Sequence, residues 1–305
     1  MNRRVNNLKP ILEVIALDAA DAQAAEQGGA DRIELVSAMS EGGLTPSYGQ
    51  IEQVVSKVSI PVYVMIRPHS RSFCYSANDL QAMIQDIRVA RELGAAGIVI
   101  GALTDEGEVD RSFLQTCLLS AQGMGVTFHR AIDSSAHVVR ALESIGSVNG
   151  GNEGKGRYEY EREMKNKKKN KNKNKSESES NNRSSSENNS KDKSECESKS
   201  KSASVSKSEK SVVERVLTSG GKLTAPEGLL ELQQLQEIGQ TLNISIMAGS
   251  GVTIEGIPTI VSRTGITEIH MGSGLRHGWS FDHSVDTQLV AQAKAALIRV
   301  VQELR

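Results

Sequence analysis

With one polar stretch set aside, the chain alternates strand-like and helix-like patterns eight times. Apolar runs at 11–16, 31–36, 60–66, 96–101, 124–129, 212–218, 243–248 and 266–271 predict strands. Helical periodicity follows each, at 18–28, 47–57, 78–93, 111–122, 134–146, 225–239, 253–263 and 284–304. Strict strand–helix alternation demands parallel strands and right-handed crossovers. Eight such units in about 240 residues match a closed (β/α)8 barrel, the TIM-barrel architecture. An open doubly wound sheet is the alternative. It usually has fewer units and carries a GxGxxG turn after its first strand, which this sequence lacks. Asp18, Ser47 and Asn78 are expected N-caps. Gly28, Gly94, Gly123, Gly146 and Gly239 stand where helices are expected to stop.

The polar stretch reaches from 148 to 210 and reads NKKKNKNKNKSESES and onward in that style. Such a segment cannot bury enough apolar surface to offset its ordering entropy, so disorder is expected. It divides one barrel domain, 8–304, between the fifth helix and the sixth strand. That loop belongs to the N-terminal face of a barrel, while ligand sites use the opposite face.

Charges inside the strands are the next constraint. ILEV carries Glu13 and DRIELV carries Glu34; VYVMIRP ends on Arg67, and VTFHRAID holds His129, Arg130 and Asp133. Strands covered on both faces normally read as unbroken apolar runs, and an unpaired buried charge is costly. A shared polar site made of Glu13, Glu34, Arg67, His129 and Arg130 is therefore expected at the C-terminal mouth. Three forms of it stay open. It could be a closed ion-pair network plugging the barrel floor. It could be an acid–base site, with a glutamate as base, His129 passing a proton and Arg67 and Arg130 stabilising negative charge. It could be a site for copper or another divalent metal using Glu13, Glu34 and His129, with Cys74 a further thiolate candidate. Arg67 is one cation that could neutralise the two carboxylates. His69, His137, His270, His277 and His283 read as ordinary histidines.

The last three strand–helix junctions are TSGG, AGSGVT and GSGL. They offer Thr218, Ser219, Gly220, Gly249, Ser250, Gly251, Gly272 and Ser273 as an anion site. Tight loops need glycine anyway, but barrels often hold phosphate after strands seven and eight. Outside the insert and its edges the lysines are Lys9, Lys57, Lys222 and Lys294, none in a predicted strand. A Schiff-base aldolase, which needs a desolvated lysine, is thereby disfavoured.

Composition sets the remaining bounds. The formal net charge of −1 gives no general attraction to nucleic acid or to a membrane surface. No signal peptide or membrane span is expected. Three scattered cysteines, Cys74, Cys117 and Cys196, form no disulfide framework and suit a reducing cytoplasm. The expected partner is a small molecule or a metal ion, and self-association into a homo-oligomer is an open expectation.

The segments GADRIELVSAMSEGGLTPSYG, IPVYVMIRPHSRSFCYS, VTFHRAID, RVLTSGG and MAGSGV resemble the CutC family, named for copper homeostasis, over nearly the whole chain outside the insert. The resemblance implies a cytoplasmic (β/α)8 barrel, copper homeostasis or copper binding, and a mouth cleft built from Glu13, Glu34, Arg67, His129 and Arg130. Some members carry cysteines in or after strands one and two. Here those stretches read VIALDA and ELVSAM, without cysteine.

Overall fold

A computed structural model describes residues 9–150 and 211–304. The strands β1 (Ile11–Ala16), β2 (Arg32–Leu35), β3 (Val62–Met65), β4 (Gly97–Ile100), β5 (Gly125–Phe128), β6 (Val213–Thr218), β7 (Ser245–Ala248) and β8 (Glu268–Met271) pair in sequence order. β1 also pairs with β8, so the parallel sheet closes into an eight-stranded barrel. The helices are α1 (Ala19–Gln27), α2 (Tyr48–Lys57), α3 (Ala77–Glu92), α4 (Arg111–Ala121), α5 (Val138–Asn149), α6 (Leu229–Leu242), α7 (Ile257–Thr264) and α8 (Thr287–Glu303). Each follows the strand of the same number. Among the described residues, no helix is long and apolar enough to cross a membrane.

Local signals account for most boundaries. The Asp18 side chain accepts from the Asp21 N–H, and Ser47 forms a reciprocal capping box with Gln50. The third helix starts earlier than expected: Ser76, not Asn78, is the cap, in a box with Asp79. Gly146 and Gly239 do not stop helices but lie inside α5 and α6. A Cβ on Gly239 would stand 2.6 Å from the Ile244 carbonyl oxygen, and one on Gly146 would stand 2.9 Å from the Leu242 side chain. Glycine is there for close approach rather than for chain reversal. α5 starts only at Val138, because Arg130–Ser134 form a separate 3-10 turn.

α5 runs to Asn149, so the insertion begins later than position 148. Residues 151–210, with the disorder expected for them, lie outside the described residues.

Register sets the barrel interior. Glu13 lies beside Arg32 on one side and His270 on the other; Glu34 lies beside Ile15 and Tyr63. The lower interior is an ion-pair layer. Arg32 contacts Glu13 through Nε and Glu268 through Nη2 at 3.0 Å, and Arg215 Nε meets Glu268 at 2.9 Å. Both guanidinium carbons stand 5.2 Å from the centre of the Tyr63 ring. The closed floor network therefore exists, and Glu13 belongs to it. Above it sits an apolar girdle of Ile15, Val36, Met65 and Val99.

Candidate active site at the barrel mouth

The C-terminal ends of the strands surround a cavity of about 290 Å³. This is near the lower end of the size range for small-molecule sites. Glu34, Arg67, His129 and Arg130 all line it, from the ends of β2, β3 and β5. Glu13 does not line it. The two glutamates expected together are separated by depth, and His270 from β8 connects them. His270 Nδ1 lies 2.8 Å from Glu13 Oε1, and Nε2 lies 3.6 Å from Glu34 Oε2.

The surroundings push the two carboxyls in opposite directions. Burial favours the neutral acid in both. For Glu13, the Arg32 charge and the hydrogen bond to His270 outweigh burial and hold the pKa well below the usual range. For Glu34, burial and the nearby Glu13 charge outweigh the attraction of His270 and Arg32, and the pKa rises to about 7. Burial alone would depress His270. The Glu34 charge, the Glu13 hydrogen bond and the Glu13 charge together raise it instead.

His129 takes a different state. Burial and the Arg67 charge push its pKa down to about 3, so its imidazole is neutral. Nδ1 accepts the Ala131 N–H at 3.1 Å. The hydrogen of the neutral ring must then sit on Nε2, an atom that is buried without a partner among the described residues. Gly101 makes the room, since a Cβ there would overlap the His129 ring.

Arg67 does not pair with either glutamate; Arg32, from the lower interior, holds Glu13. Arg67 Nη1 donates to the carbonyls of Glu41, Gly42 and Gly43 at 3.1–3.2 Å, and its guanidinium packs 4.8 Å over Phe73. These contacts fix the cation at the cavity wall and leave its Nε buried without a partner.

The glycine-rich junctions divide as well. After β6, Thr218 Oγ1 and the N–H groups of Ser219 and Gly221 donate to the Asp133 carboxylate, and the Gly220 N–H turns to Thr218 Oγ1. Arg130 also pairs with Asp133, at 2.9 Å, and reaches Ser219 Oγ. The expected anion loop is thus filled by the protein's own carboxylate. Ser250, Gly251, Gly272 and Ser273 line the cavity. Gly249 lies behind them, its N–H on the Thr218 carbonyl.

Of the residues weighed as metal ligands, Glu34 and His129 line the cavity, whereas Glu13 and Cys74 do not. Cys74 is outside the cavity wall, next to Asp105, and Cys117 is buried in α4. Among the described residues, no three His, Cys, Asp or Glu side chains are placed to hold a metal ion. The soft donors on the wall are the thioethers of Met39, Met65 and Met271.

His270 and Arg32 escaped the sequence reading. Their signal lay in strand register: Glu268 and His270 alternate inward on β8, as Arg32 and Glu34 do on β2. Pairing, not composition, sets them against Glu13. His69, read as ordinary, stays off the wall, 3.6 Å from Asp79 at the start of α3.

Comparison with known proteins adds a family. The sequence model of the CutC family matches residues 11–151 and 196–275. A CutC family protein of Pasteurella multocida is 32% identical over 301 residues, covering 95% of this chain and 97% of the relative. One from Porphyromonas gingivalis strain W83 is 34% identical over 266 residues, covering 87% and 81%. A solved CutC structure from Streptococcus agalactiae aligns with a TM-score of 0.62 at 23% identity, covering 87% of this chain and 98% of that one. Phosphoribosylanthranilate isomerase from Thermotoga maritima, at 8% identity and a TM-score of 0.51, covers 95% and 99% and shares the barrel alone.

Proposed function

The chain belongs to the CutC family, and from that premise and the chemistry of the cavity we propose an acid–base enzyme acting on a small anionic metabolite. A barrel hosts many chemistries, so the site must carry the reading. One observation carries it. Glu34 Oε1, Arg67 Nε and His129 Nε2 are buried, have no partner among the described residues, and belong to residues lining one cavity. Buried polar groups are nearly always paired, and each left alone costs about 1–3 kcal/mol. A ligand that offers an oxygen acceptor to His129 and a transferable proton to Glu34 would satisfy two of them.

The roles follow from charge state. With a pKa of about 7, Glu34 can take and return a proton near neutral pH. A C–H bond next to a carbonyl breaks, its proton passes to Glu34, and the electron pair moves onto the carbonyl oxygen. The neutral His129 donates its Nε2–H to that oxygen as charge builds, a donation that costs no reorganisation in a dry site. Arg67, clamped by three carbonyls, adds fixed positive charge beside the reacting carbonyl. Arg32 and Glu13 position His270, which stands beside Glu34 and biases its proton.

The test is proton exchange. Small anionic carbonyl compounds are incubated with the protein in D2O, and loss of their α-proton signal is followed by proton NMR. Wild type should exchange at least one, and Glu34→Gln should slow that exchange at least a hundredfold. No exchange from any compound, with the Glu34 carboxyl titrating in the ordinary glutamate range by carbon NMR, would overturn the proposal.

A second reading takes copper as cargo, in line with the copper homeostasis named for the Streptococcus agalactiae relative. The methionine thioethers on the wall favour it, since copper(I) prefers soft sulfur. Anaerobic copper(I) titration decides it: stoichiometric binding lost on Met39→Leu/Met65→Leu supports cargo, and no binding removes it. The two described cysteines are free, which suits a cytoplasmic home.

A further inference from the structure

The three glycine-rich junctions use their donors differently. After β6, Asp133 consumes them. After β7 and β8, no protein acceptor among the described residues meets the N–H groups of Ser250, Gly251, Val252, Gly272 or Ser273. All five residues line the cavity. The two loops abut, because a Cβ on Gly274 would stand 2.9 Å from the Val252 carbonyl oxygen. Ser250 and Gly251 both hold positive φ, 78° and 64°. A serine in that region carries backbone strain, which tends to persist where a ligand site uses it.

We propose that the loops after β7 and β8 hold the phosphate of a phosphomonoester whose reacting end lies against Glu34 and His129. This rests on the acid–base reading of the cavity and names its substrate class. Five N–H donors plus the Ser273 hydroxyl exceed the roughly four acceptor sites of a carboxylate, and they come from two separate loops. A phosphate, with three strong acceptor oxygens and close to two negative charges, matches that number and arrangement. Main-chain amides without a lysine are a sufficient phosphate cradle. Arg130, on the same wall but tied to Asp133, adds positive charge at the edge. The unpartnered Glu34, Arg67 and His129 atoms supply the second, independent sign that this cavity takes a ligand.

The chain has one tryptophan, and Trp279 sits on the cavity rim, 58% exposed. Titration with inorganic phosphate should give a saturable change in Trp279 emission and exchange broadening in phosphorus NMR. Ser273→Asp, which puts a negative charge among the donors, should weaken phosphate at least tenfold. Ser273→Ala, which keeps the N–H, should weaken it less than threefold. Sulfate should compete and acetate should not. Glu34→Gln should bind phosphate like wild type. No saturable signal by either method, or wild-type affinity in a folded Ser273→Asp, would overturn the subsite. Phosphate binding unchanged in Glu34→Gln, with no proton exchange by wild type from any carbonyl compound and an ordinary Glu34 titration, would leave the subsite standing and remove the acid–base reading alone.

Discussion

Glu13 and Glu34 are the same side chain on neighbouring strands, both buried, yet they settle in different protonation states. Arg32 reaches Glu13 directly, whereas Glu34 keeps one oxygen without a partner. The difference has a measurable sign. The Glu34 pKa rises from 4.5 to about 7 on folding. Between those values the folded state keeps a proton that the unfolded chain releases, so stability falls as pH rises through the window, by about 3 kcal/mol in all. Glu34→Gln removes that slope. Urea unfolding at a series of pH values should show the variant gaining on wild type from pH 5 to pH 8. A constant difference would show that Glu34 is ionised throughout. At this scale the sequence disclosed which residues were anomalous but not who partners whom. A charge in an apolar strand is visible in the letters; the facing of His270 and Glu13 depends on closure of β8 onto β1, 257 positions apart.

The elements themselves were legible because each unit repeats the same grammar: an apolar strand, a polar junction, a capped amphipathic helix. Ser47 and Asp18 are cases where a side chain satisfies orphan N–H groups, and such signals are local. The glycines were ambiguous because one letter serves two physical needs. Gly146 and Gly239 resemble helix stops, yet each lets its helix approach a neighbour. The two readings predict opposite outcomes. At an ordinary interior helix site, alanine would stabilise relative to glycine by about 1 kcal/mol. At Gly239 the added methyl meets the Ile244 carbonyl and the Ile246 side chain, so Gly239→Ala should instead destabilise by roughly 1–3 kcal/mol. Chemical denaturation measures this directly, and a stabilised variant would show that α6 has space to spare. Asp133 belongs to the same lesson. It fills the β6 junction from the turn after β5, so a loop with an anion-binding composition has no donors left for a ligand. Composition could not show that the β6 loop was already occupied.

At the scale of the molecule, the cavity and the points where the insertion joins the barrel lie on opposite faces. The cavity opens where the strands end, and the insertion enters and leaves where helix gives way to strand. Its flanks are joined independently of whatever lies between them. Asn149, the last residue of α5, uses both atoms of its amide: Nδ2 donates to the Val213 carbonyl at 2.7 Å, and Oδ1 accepts the Val213 N–H at 2.8 Å. Ser211 adds a second tie, accepting the Gly123 N–H and donating to the Met124 carbonyl. The end of α5 and the start of β6 are therefore held side by side by residues of the barrel itself. A loop of a few residues can span that gap, and loop-closure cost changes only slowly with length. Replacing residues 152–209 with a short glycine–serine linker should leave the melting temperature within a few degrees. It should also leave the phosphate titration of Trp279 unchanged, since the flanking Asn149 and Ser211 lie at the end of the barrel opposite the cavity. A melting temperature lowered by ten degrees or more would mean that the inserted segment stabilises the barrel. A changed phosphate affinity at unchanged stability would mean that it acts on the mouth.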